Sequence, residues 1–305
     1  MRVVVVGAGI GGMTAALALA RTGHDVQVLE RAPGVSPLGA GLQVSANARR
    51  VLVDLGLDES FSAIVTEPSR IVIRRWQDDS VIGAAPLTGV HDTRFGHAFA
   101  NVSRNDLAGI LADAATSMPN ISVRFGVAVS GVDQSGPRPV VECGDSSYEA
   151  DVVIGADGIH SVVRKQFYPN EGAPRYSGYN MWRGTTVWPK YLTGASMVRA
   201  GWLAHGKMVI YPIRDLGDGK QLINWVAEIE TPQHLDRDWN RRGAMVTDRY
   251  LTVIHHPTVE EFAKWCNENF LPIIGIDNVS GSKPLESAQL PEKCVLLFGQ
   301  EGAGM

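Results

Sequence analysis

The 305-residue sequence has few of the features that mark several common classes of protein. Its three cysteines, Cys143, Cys266 and Cys294, form no CxxC pair, so we expect neither a disulfide framework nor a metal site. No apolar run is as long as a membrane span, and we expect no membrane contact. A net charge of −4 without a basic stripe argues against nucleic acid as a partner. The chain enters a strand without a leader pattern, which favours a cytoplasmic protein.

The chain does contain a glycine-rich turn in the setting of a dinucleotide-binding fold. Gly7, Gly9 and Gly12 fill the slots of G-x-G-x-x-G, between an apolar strand at residues 2–6 and an Ala- and Leu-rich helix. These glycines permit a tight turn, the approach of a pyrophosphate and close helix packing, and the helix N-terminus attracts phosphate. The next strand ends in Glu30, which can bind a ribose 2′-OH and would repel a 2′-phosphate. The turn alone leaves open FAD, NAD or another α/β fold.

The later part of the chain has a different texture. Short strands are expected around residues 122–125, 127–132 and 140–143. From about residue 178 onward tryptophans become frequent, and segments such as 208–213 and 221–229 alternate between apolar and polar residues. Alternation of this kind is typical of an antiparallel sheet with one open face, so we expect a second lobe inserted into the first.

Three further stretches point to one family. They cover residues 39–48, 102–107 and 151–164. The last contains an Asp157-Gly158 pair directly after an apolar strand. Together they resemble the FAD-dependent aromatic hydroxylases, which include para-hydroxybenzoate, salicylate and phenazine hydroxylases. Segments in the second lobe are similar to the salicylate and phenazine branch, namely residues 181–184, 211–213 and 221–226.

The resemblance implies an α/β fold in which a Rossmann-like FAD-binding lobe carries an inserted antiparallel-sheet substrate lobe, as in para-hydroxybenzoate hydroxylase. We expect the FAD-binding domain to be discontinuous and the substrate-binding domain to fill its gaps. The expected FAD-binding segments are residues 1–70, 100–177 and 291–305. The expected substrate-binding segments are residues 71–99 and 178–290.

The resemblance also assigns cofactor contacts residue by residue. FAD would bind the glycine turn, the acidic strand end, the loop beside the flavin ring, the arginine before a helix and the Asp-Gly turn. The expected cofactor-binding residues are Gly7, Gly9, Ile10, Gly11, Gly12, Glu30, Arg31, Gly41, Arg104, Val129, Asp157, Gly158 and Arg164.

The activity implied is hydroxylation of a small aromatic or heteroaromatic substrate with O₂ and NADH or NADPH, through a flavin C4a-hydroperoxide. A base or hydrogen-bonding group near the ring would assist, and we take Tyr211 and Gln43 as catalytic candidates, with His205 as a weaker third. A monomer or a homodimer is expected. Two alternatives stay open: another flavoenzyme on this scaffold, such as an epoxidase, a drug-inactivating monooxygenase or a reductase, and a non-catalytic FAD-binding protein.

The end of the sequence departs from the family. Relatives continue from a strand into Gly-Asp-Ala and later into a Gly-x-Gly stretch that opens a helix. Here the apolar strand at residues 295–298 runs into Gly299 and then Gln300, and the Gly-Asp-Ala segment is absent. Either the printed sequence omits a loop and a tail, or the protein is a truncated form. We favour omission, because a direct join would leave the flavin poorly enclosed.

Overall fold

The computed structural model describes residues 1–35, 40–75, 78–203 and 206–231, with residues 264 and 268 and the strands Ile273–Ile276 and Val295–Phe298. The chain divides into two units, Met1–Gly243 and Ala244–Met305. The helices are α1 (Ile10–Arg21), α2 (Ala46–Asp54), α3 (Asp58–Ser62), α4 (Val90–Phe95), α5 (Arg104–Ser117) and α6 (Val162–Phe167).

The strands of the first unit are β1 (Arg2–Val6), β2 (Asp25–Glu30), β3 (Gly41–Val44), β4 (Val65–Thr66), β5 (Arg70–Arg74), β6 (Val81–Pro86), β7 (Ala100–Ser103), β8 (Ile121–Phe125), β9 (Gly131–Asp133), β10 (Val140–Cys143), β11 (Ser146–Glu149), β12 (Val152–Gly155), β13 (Tyr179–Pro189), β14 (Ser196–Leu203), β15 (Gly206–Gly217) and β16 (Lys220–Glu230). In the second unit, β17 (Ile273–Ile276) and β18 (Val295–Phe298) form a parallel pair.

A four-stranded parallel sheet forms the centre of the N-terminal half. Its order is β12-β1-β2-β8, so the chain adds strands on one side of β1 and then crosses to the other. This is the 3-2-1-4 order of half a Rossmann fold, in which ligands bind beyond the carboxyl ends of the strands where the order reverses. The strand order therefore places a candidate site beyond the ends of β1 and β12.

Both faces of the parallel sheet are covered, which explains its β-branched composition. On one face, α1 and α5 pack through small and apolar side chains such as Met13, Ala16 and Leu111. On the other face, Val4, Val6 and Leu29 pack against residues of the three-stranded sheet β11-β10-β9. The alanines of α1 let the helix lie close to the strands, so the glycine turn before it is held against a rigid support.

One strand expected from the sequence is shorter than predicted. The pattern of residues 127–132 indicates a strand, but β9 covers only Gly131–Asp133. The backbone N–H of Val127 is donated instead to the carbonyl of Glu30 at 2.8 Å, at the end of β2. Val127 therefore pairs with the end of β2, and the chain joins the three-stranded sheet only at Gly131.

The second lobe is built on a six-stranded sheet of order β13-β16-β15-β14-β5-β6. All of its neighbouring strands are antiparallel except β14 and β5. Strands from residues 70–86 thus join strands from residues 179–230, which confirms an antiparallel lobe beside a Rossmann-like one. A smaller sheet of order β3-β7-β4 lies against β15. The exact domain boundaries expected from the sequence stay predictions.

Candidate functional site

Two glycines of the fingerprint turn are required by the protein's own packing. Gly7 has φ +105°, and a Cβ on it would lie 2.5 Å from the carbonyl oxygen of Ala156. A Cβ on Gly12 would lie 1.9 Å from the carbonyl oxygen of Gly7. The Gly7 amide also donates to Leu29 O at 2.7 Å, which fastens the turn to the end of β2. These contacts hold the turn between the ends of β1, β2 and β12.

The other two glycines of the turn have no such packing reason. A Cβ on Gly9 or Gly11 would meet no protein atom within 4 Å, and Gly9 adopts φ −69°, which any residue tolerates. The described first turn of α1 holds no acidic residue, and Gly9 provides no side-chain cap for the amides there. Open space before uncapped amides at the positive end of a helix suits a phosphate. The turn therefore fits the pyrophosphate of a dinucleotide such as FAD.

Glu30 lies beside this turn and has two backbone partners. Its Oε2 accepts the amide of Ala8 at 2.8 Å, and its Oε1 accepts the amide of Ala32 at 2.9 Å. Each carboxylate oxygen keeps a second lone pair with which it can accept a ribose hydroxyl. Glu30 thus also links the fingerprint turn to the loop after β2, a role that the sequence pattern does not reveal. Arg31 is exposed and Val129 is half-buried against the β9–β11 side.

The Asp157-Gly158 turn meets the fingerprint turn at the end of the sheet. Asp157 accepts hydrogen bonds from the Ser161 hydroxyl and, at 2.7 Å, from the amide of Val162 at the start of α6. Gly158 adopts φ +81°, a left-handed conformation that favours glycine. Asp157 therefore orients a helix N-terminus, and a cavity of about 310 Å³ opens beside it, lined by Gly155, Asp157, Gly158, Ser161, Val163 and Arg164.

Two of the three predicted arginines, Arg164 and Arg104, lie in different surroundings. Arg164 is exposed, donates to Glu171 at 2.7 Å and donates to the Ile159 carbonyl at 2.7 Å. Arg104 begins α5, and its amide donates to Ala40 O at 3.1 Å. Within the part of the chain that is described, no carboxylate forms an ion pair with the Arg104 guanidinium.

Gly41 connects the small sheet to the six-stranded sheet. Its amide donates to the Asn224 Oδ1 at 2.6 Å, and its carbonyl accepts the Tyr211 hydroxyl at 2.9 Å. Tyr211 and Asn224 are both buried and lie directly opposite each other on β15 and β16. A Cβ on Gly41 would lie 2.7 Å from Ile213 Cγ2, so glycine is required there. Sequence reasoning did not assign Asn224 to the site, although it lies in the family-like segment 221–226 and is a polar residue in an apolar part of a strand.

The two catalytic candidates differ in exposure. Burial raises the pKa of Tyr211 above its usual value, so its phenol stays protonated near neutral pH and donates to Gly41. Gln43, two residues after Gly41 on β3, is exposed and pairs with Asn101 of β7. His205 lies outside the described residues.

Among the described residues, no group of three or more His, Cys, Asp or Glu side chains could hold a metal ion. Nor does any described helix have the length and apolarity of a membrane span.

An open cavity of about 450 Å³ lies at the opposite, amino-terminal ends of the parallel strands, beside Arg2 and Asp25. It is therefore separate from the fingerprint turn.

Comparison with known proteins agrees with this geometry. Residues 1–209 match the family described as FAD binding domain. The chain is 36% identical over 215 residues to 3-amino-4-hydroxybenzoate 2-monooxygenase of Streptomyces cremeus, covering 69% of this chain and 53% of that protein. It is 32% identical over 194 residues to 6-hydroxynicotinate 3-monooxygenase of Pseudomonas fluorescens, covering 63% and 49%. The chain thus spans about half the length of these curated relatives.

A solved structure shows the same fold. Klebsiella pneumoniae HpxO, complexed with FAD and uric acid, superposes with a TM-score of 0.66 at 24% identity, over 78% of this chain and 58% of that one. The α/β fold with a second, antiparallel lobe is therefore confirmed, as is the resemblance to FAD-dependent aromatic hydroxylases.

Proposed function

This chain belongs to the FAD binding domain family, and from that premise we propose that it works as an FAD-dependent monooxygenase that hydroxylates a small aromatic or heteroaromatic ring. Two of its relatives are named as monooxygenases of hydroxybenzoate- and hydroxynicotinate-type compounds. Substrates of this class are electron-rich planar rings that carry a hydroxyl and a carboxylate. The proposed substrate class is therefore hydroxylated aromatic or N-heteroaromatic compounds.

The observation that carries the proposal is the pair of glycines, Gly9 and Gly11, that the protein's own packing does not require. They leave space before the uncapped amides of α1, where the pyrophosphate of FAD would lie. Glu30 would accept a hydroxyl of the adenosine ribose, and the neighbouring segment with Val129 would border the adenine. Ile10 and Arg31 would flank the same end of the cofactor.

The remaining predicted contacts would hold the middle of the cofactor and the flavin. Arg104 would pair with a phosphate, and the Asp157-Gly158 turn would border the pyrophosphate from the end of β12. Arg164 would act indirectly, since its guanidinium already holds the Ile159 carbonyl in that turn. FAD, once bound, supplies the electron transfer and oxygen activation that protein side chains lack.

The overall reaction balances with NAD(P)H as the reductant. A ring C–H, O₂, NAD(P)H and one proton give a ring C–OH, NAD(P)⁺ and water. The protein has to bind the ring, orient it and exclude water, because water near the reacting atoms would divert the oxygen to hydrogen peroxide. Gln43 has an exposed amide that can contact a ring hydroxyl. Tyr211 would contribute indirectly, because its hydroxyl already serves Gly41.

The test is a substrate panel with an isotope readout. FAD-loaded protein is incubated with NADH or NADPH and with phenols, salicylates, hydroxybenzoates, hydroxypyridines, quinolones or phenazines under ¹⁸O₂. We expect at least one compound to accelerate NAD(P)H oxidation and to gain one ¹⁸O atom by mass spectrometry. A reduced product without ¹⁸O would point to a reductase on this scaffold, and firmly bound FAD without turnover by any compound would point to a non-catalytic FAD-binding protein.

A further inference from the structure

Two side chains hydrogen-bond the amide and the carbonyl of Gly41, as the backbone of a neighbouring strand would. It lies on β3, an edge strand whose only partner within the described sheet is β7. The Gly41 amide donates to Asn224 Oδ1 and its carbonyl accepts from Tyr211, so both of its main-chain groups have partners on the six-stranded sheet. We call Gly41, Tyr211 and Asn224 the Gly41 clasp.

The Gly41 clasp is buried and leaves no space for a side chain at residue 41. Asn224 is 0% exposed and Tyr211 is 3% exposed, and the two are cross-strand neighbours on β15 and β16. A Cβ on Gly41 would lie 2.8 Å from the Asn224 Cβ and 2.7 Å from Ile213 Cγ2. Hydrogen bonds in such a dry environment have well-defined geometry, and an unpaired buried amide is costly. Gly41 therefore has little freedom to move relative to the six-stranded sheet.

The position of the clasp relates it to the proposed site. The carbonyl of Ala40, the residue before Gly41, accepts a hydrogen bond from the amide of Arg104, which is the predicted phosphate contact at the start of α5. Two residues after Gly41 is Gln43, the exposed candidate for contact with the ring. A shift of Gly41 would thus change the spacing between Arg104, the predicted phosphate contact, and Gln43, the candidate for contact with the ring.

We propose that Asn224 and Tyr211 are positioning residues that fix β3, through Gly41, at the distance from the six-stranded sheet that the flavin and the substrate ring require. The inference rests on the proposed monooxygenase function. It names two residues of this chain that would keep the cofactor-binding side and the substrate-binding side at a fixed spacing. Neither side chain needs to touch the reacting atoms, since each acts through the backbone of Gly41.

The experiment compares two variants on the same strand. Asn224→Leu removes the acceptor of the Gly41 amide and keeps the number and branching of the side-chain heavy atoms. Gln221→Met is the matched control, because Gln221 is also buried on β16 and its side-chain amide donates to a loop carbonyl, Gly194 O, at 2.6 Å. Each change removes one hydrogen bond between a β16 side chain and the backbone. Only the first bond involves β3.

Three readouts separate positioning from stability alone. In Asn224→Leu we expect hydrogen exchange of the Gly41 amide to accelerate about tenfold, equivalent to ~1.4 kcal/mol. We also expect an altered visible circular dichroism of bound FAD and a several-fold rise in hydrogen peroxide formed per NAD(P)H oxidised. Gln221→Met should leave all three at wild-type values. Tyr211→Phe, which removes the donor to the Gly41 carbonyl, provides a second variant if Asn224→Leu does not fold.

The outcomes separate this inference from the proposed function. Unchanged Gly41 exchange in a folded Asn224→Leu protein would overturn the clasp, and the exchange measurement needs neither FAD nor turnover. Faster exchange with unchanged flavin dichroism and unchanged peroxide yield would overturn the positioning role, even if wild-type protein incorporates ¹⁸O. Equal effects of Asn224→Leu and Gln221→Met would show a general loss of stability and would also overturn it.

Discussion

At the scale of single residues, the fingerprint turn contains glycines of two kinds. Gly7 and Gly12 lack side chains because backbone atoms of the protein occupy the space, at 2.5 Å and 1.9 Å from the Cβ positions. Gly9 and Gly11 face open space instead. The turn therefore combines positions where the protein's own packing requires glycine with positions where open space is left for a ligand.

The two kinds of glycine should respond differently to alanine. Gly9→Ala should leave the free energy of unfolding within about 0.5 kcal/mol of wild type, because no contact is made. It should weaken FAD binding about tenfold or more, because the methyl group occupies the space of the pyrophosphate. Gly12→Ala should lower the free energy of unfolding by about 2 kcal/mol, because the turn has to shift.

Chemical denaturation and FAD titration by flavin fluorescence measure the two quantities. Gly109→Ala on α5 is a suitable control, since a Cβ there also meets nothing within 4 Å and the position lies outside the turn. Equal losses of FAD affinity in the Gly9 and Gly109 variants would contradict the assignment of the turn.

Local spacing in the sequence assigns most residues of the proposed cofactor site, and those assignments stay predictions. Gly7, Gly9, Gly12 and Glu30 belong to one βαβ unit, in which chain spacing alone determines what lies beside what. Asn224 could not be predicted in this way. Its contact with Gly41 spans 183 residues and depends on the register of β15 with β16, which no local pattern encodes.

At the scale of secondary-structure elements, α6 shows how a short helix depends on its cap. It has six residues, too few to be stable by propensity alone. Asp157 accepts the amide of Val162, and the N-cap residue Ser161 accepts the amide of Arg164 at 2.9 Å. These bonds satisfy amides that the helix itself leaves unpaired. The Asp-Gly motif is thus a structural part of α6 as well as a proposed border of the cofactor.

Replacement of Asp157 should separate these two roles. Asp157→Ala should lower the free energy of unfolding by about 1 kcal/mol, because a helix cap is lost. Asp157→Asn keeps an acceptor oxygen and should recover most of that stability. If the carboxylate also serves the cofactor, both variants should slow flavin reduction by NAD(P)H in stopped-flow experiments.

Asp133→Ala is the control for the loss of a carboxylate that accepts a backbone amide, since Asp133, the exposed last residue of β9, accepts the amide of Ser135 at 2.9 Å. We expect it to change neither flavin reduction nor stability by a measurable amount. Wild-type flavin reduction in both Asp157 variants would restrict Asp157 to its role as a helix cap.

Elements with a strong period were predicted within a few residues, whereas one that depends on long-range hydrogen bonds was not. The Ala- and Leu-rich helix α1 and the apolar strands β1 and β2 follow from their own sequences. The strand expected over residues 127–132 shortened to Gly131–Asp133, because the Val127 amide bonds to the end of β2. A pattern of alternating residues cannot show which neighbour takes the backbone groups.

At the scale of the whole molecule, the turn that fits a dinucleotide and the strands of the second lobe belong to different sheets. The parallel sheet ends in the fingerprint turn, while strands from residues 70–86 and 179–230 combine into the six-stranded sheet. The βαβ pattern indicated that β1 and β2 are parallel neighbours, whereas the positions of β8 and β12 came from the structure. The joining of β5 to β14, parallel strands far apart in the sequence, was expected only as part of an inserted lobe.

This division predicts how the whole protein responds to two flavins. FAD at about one hundred times its Kd should add ~2.7 kcal/mol of stability to the apoprotein, or on the order of 5 °C in Tm. FMN should give a clearly smaller shift at equal concentration, because it lacks the adenosine and the second phosphate that the turn and Glu30 would bind. Differential scanning fluorimetry measures both shifts.

Glu30→Ala makes the comparison specific. The variant should lose part of the FAD-induced shift, since the ribose acceptor is gone, and should keep the FMN-induced shift, since FMN has no adenosine ribose. Its Tm without ligand should also fall, because the amides of Ala8 and Ala32 lose their acceptor. Equal stabilisation of the wild-type protein by FAD and FMN would mean that the adenosine end of FAD does not lie along β1 and β2.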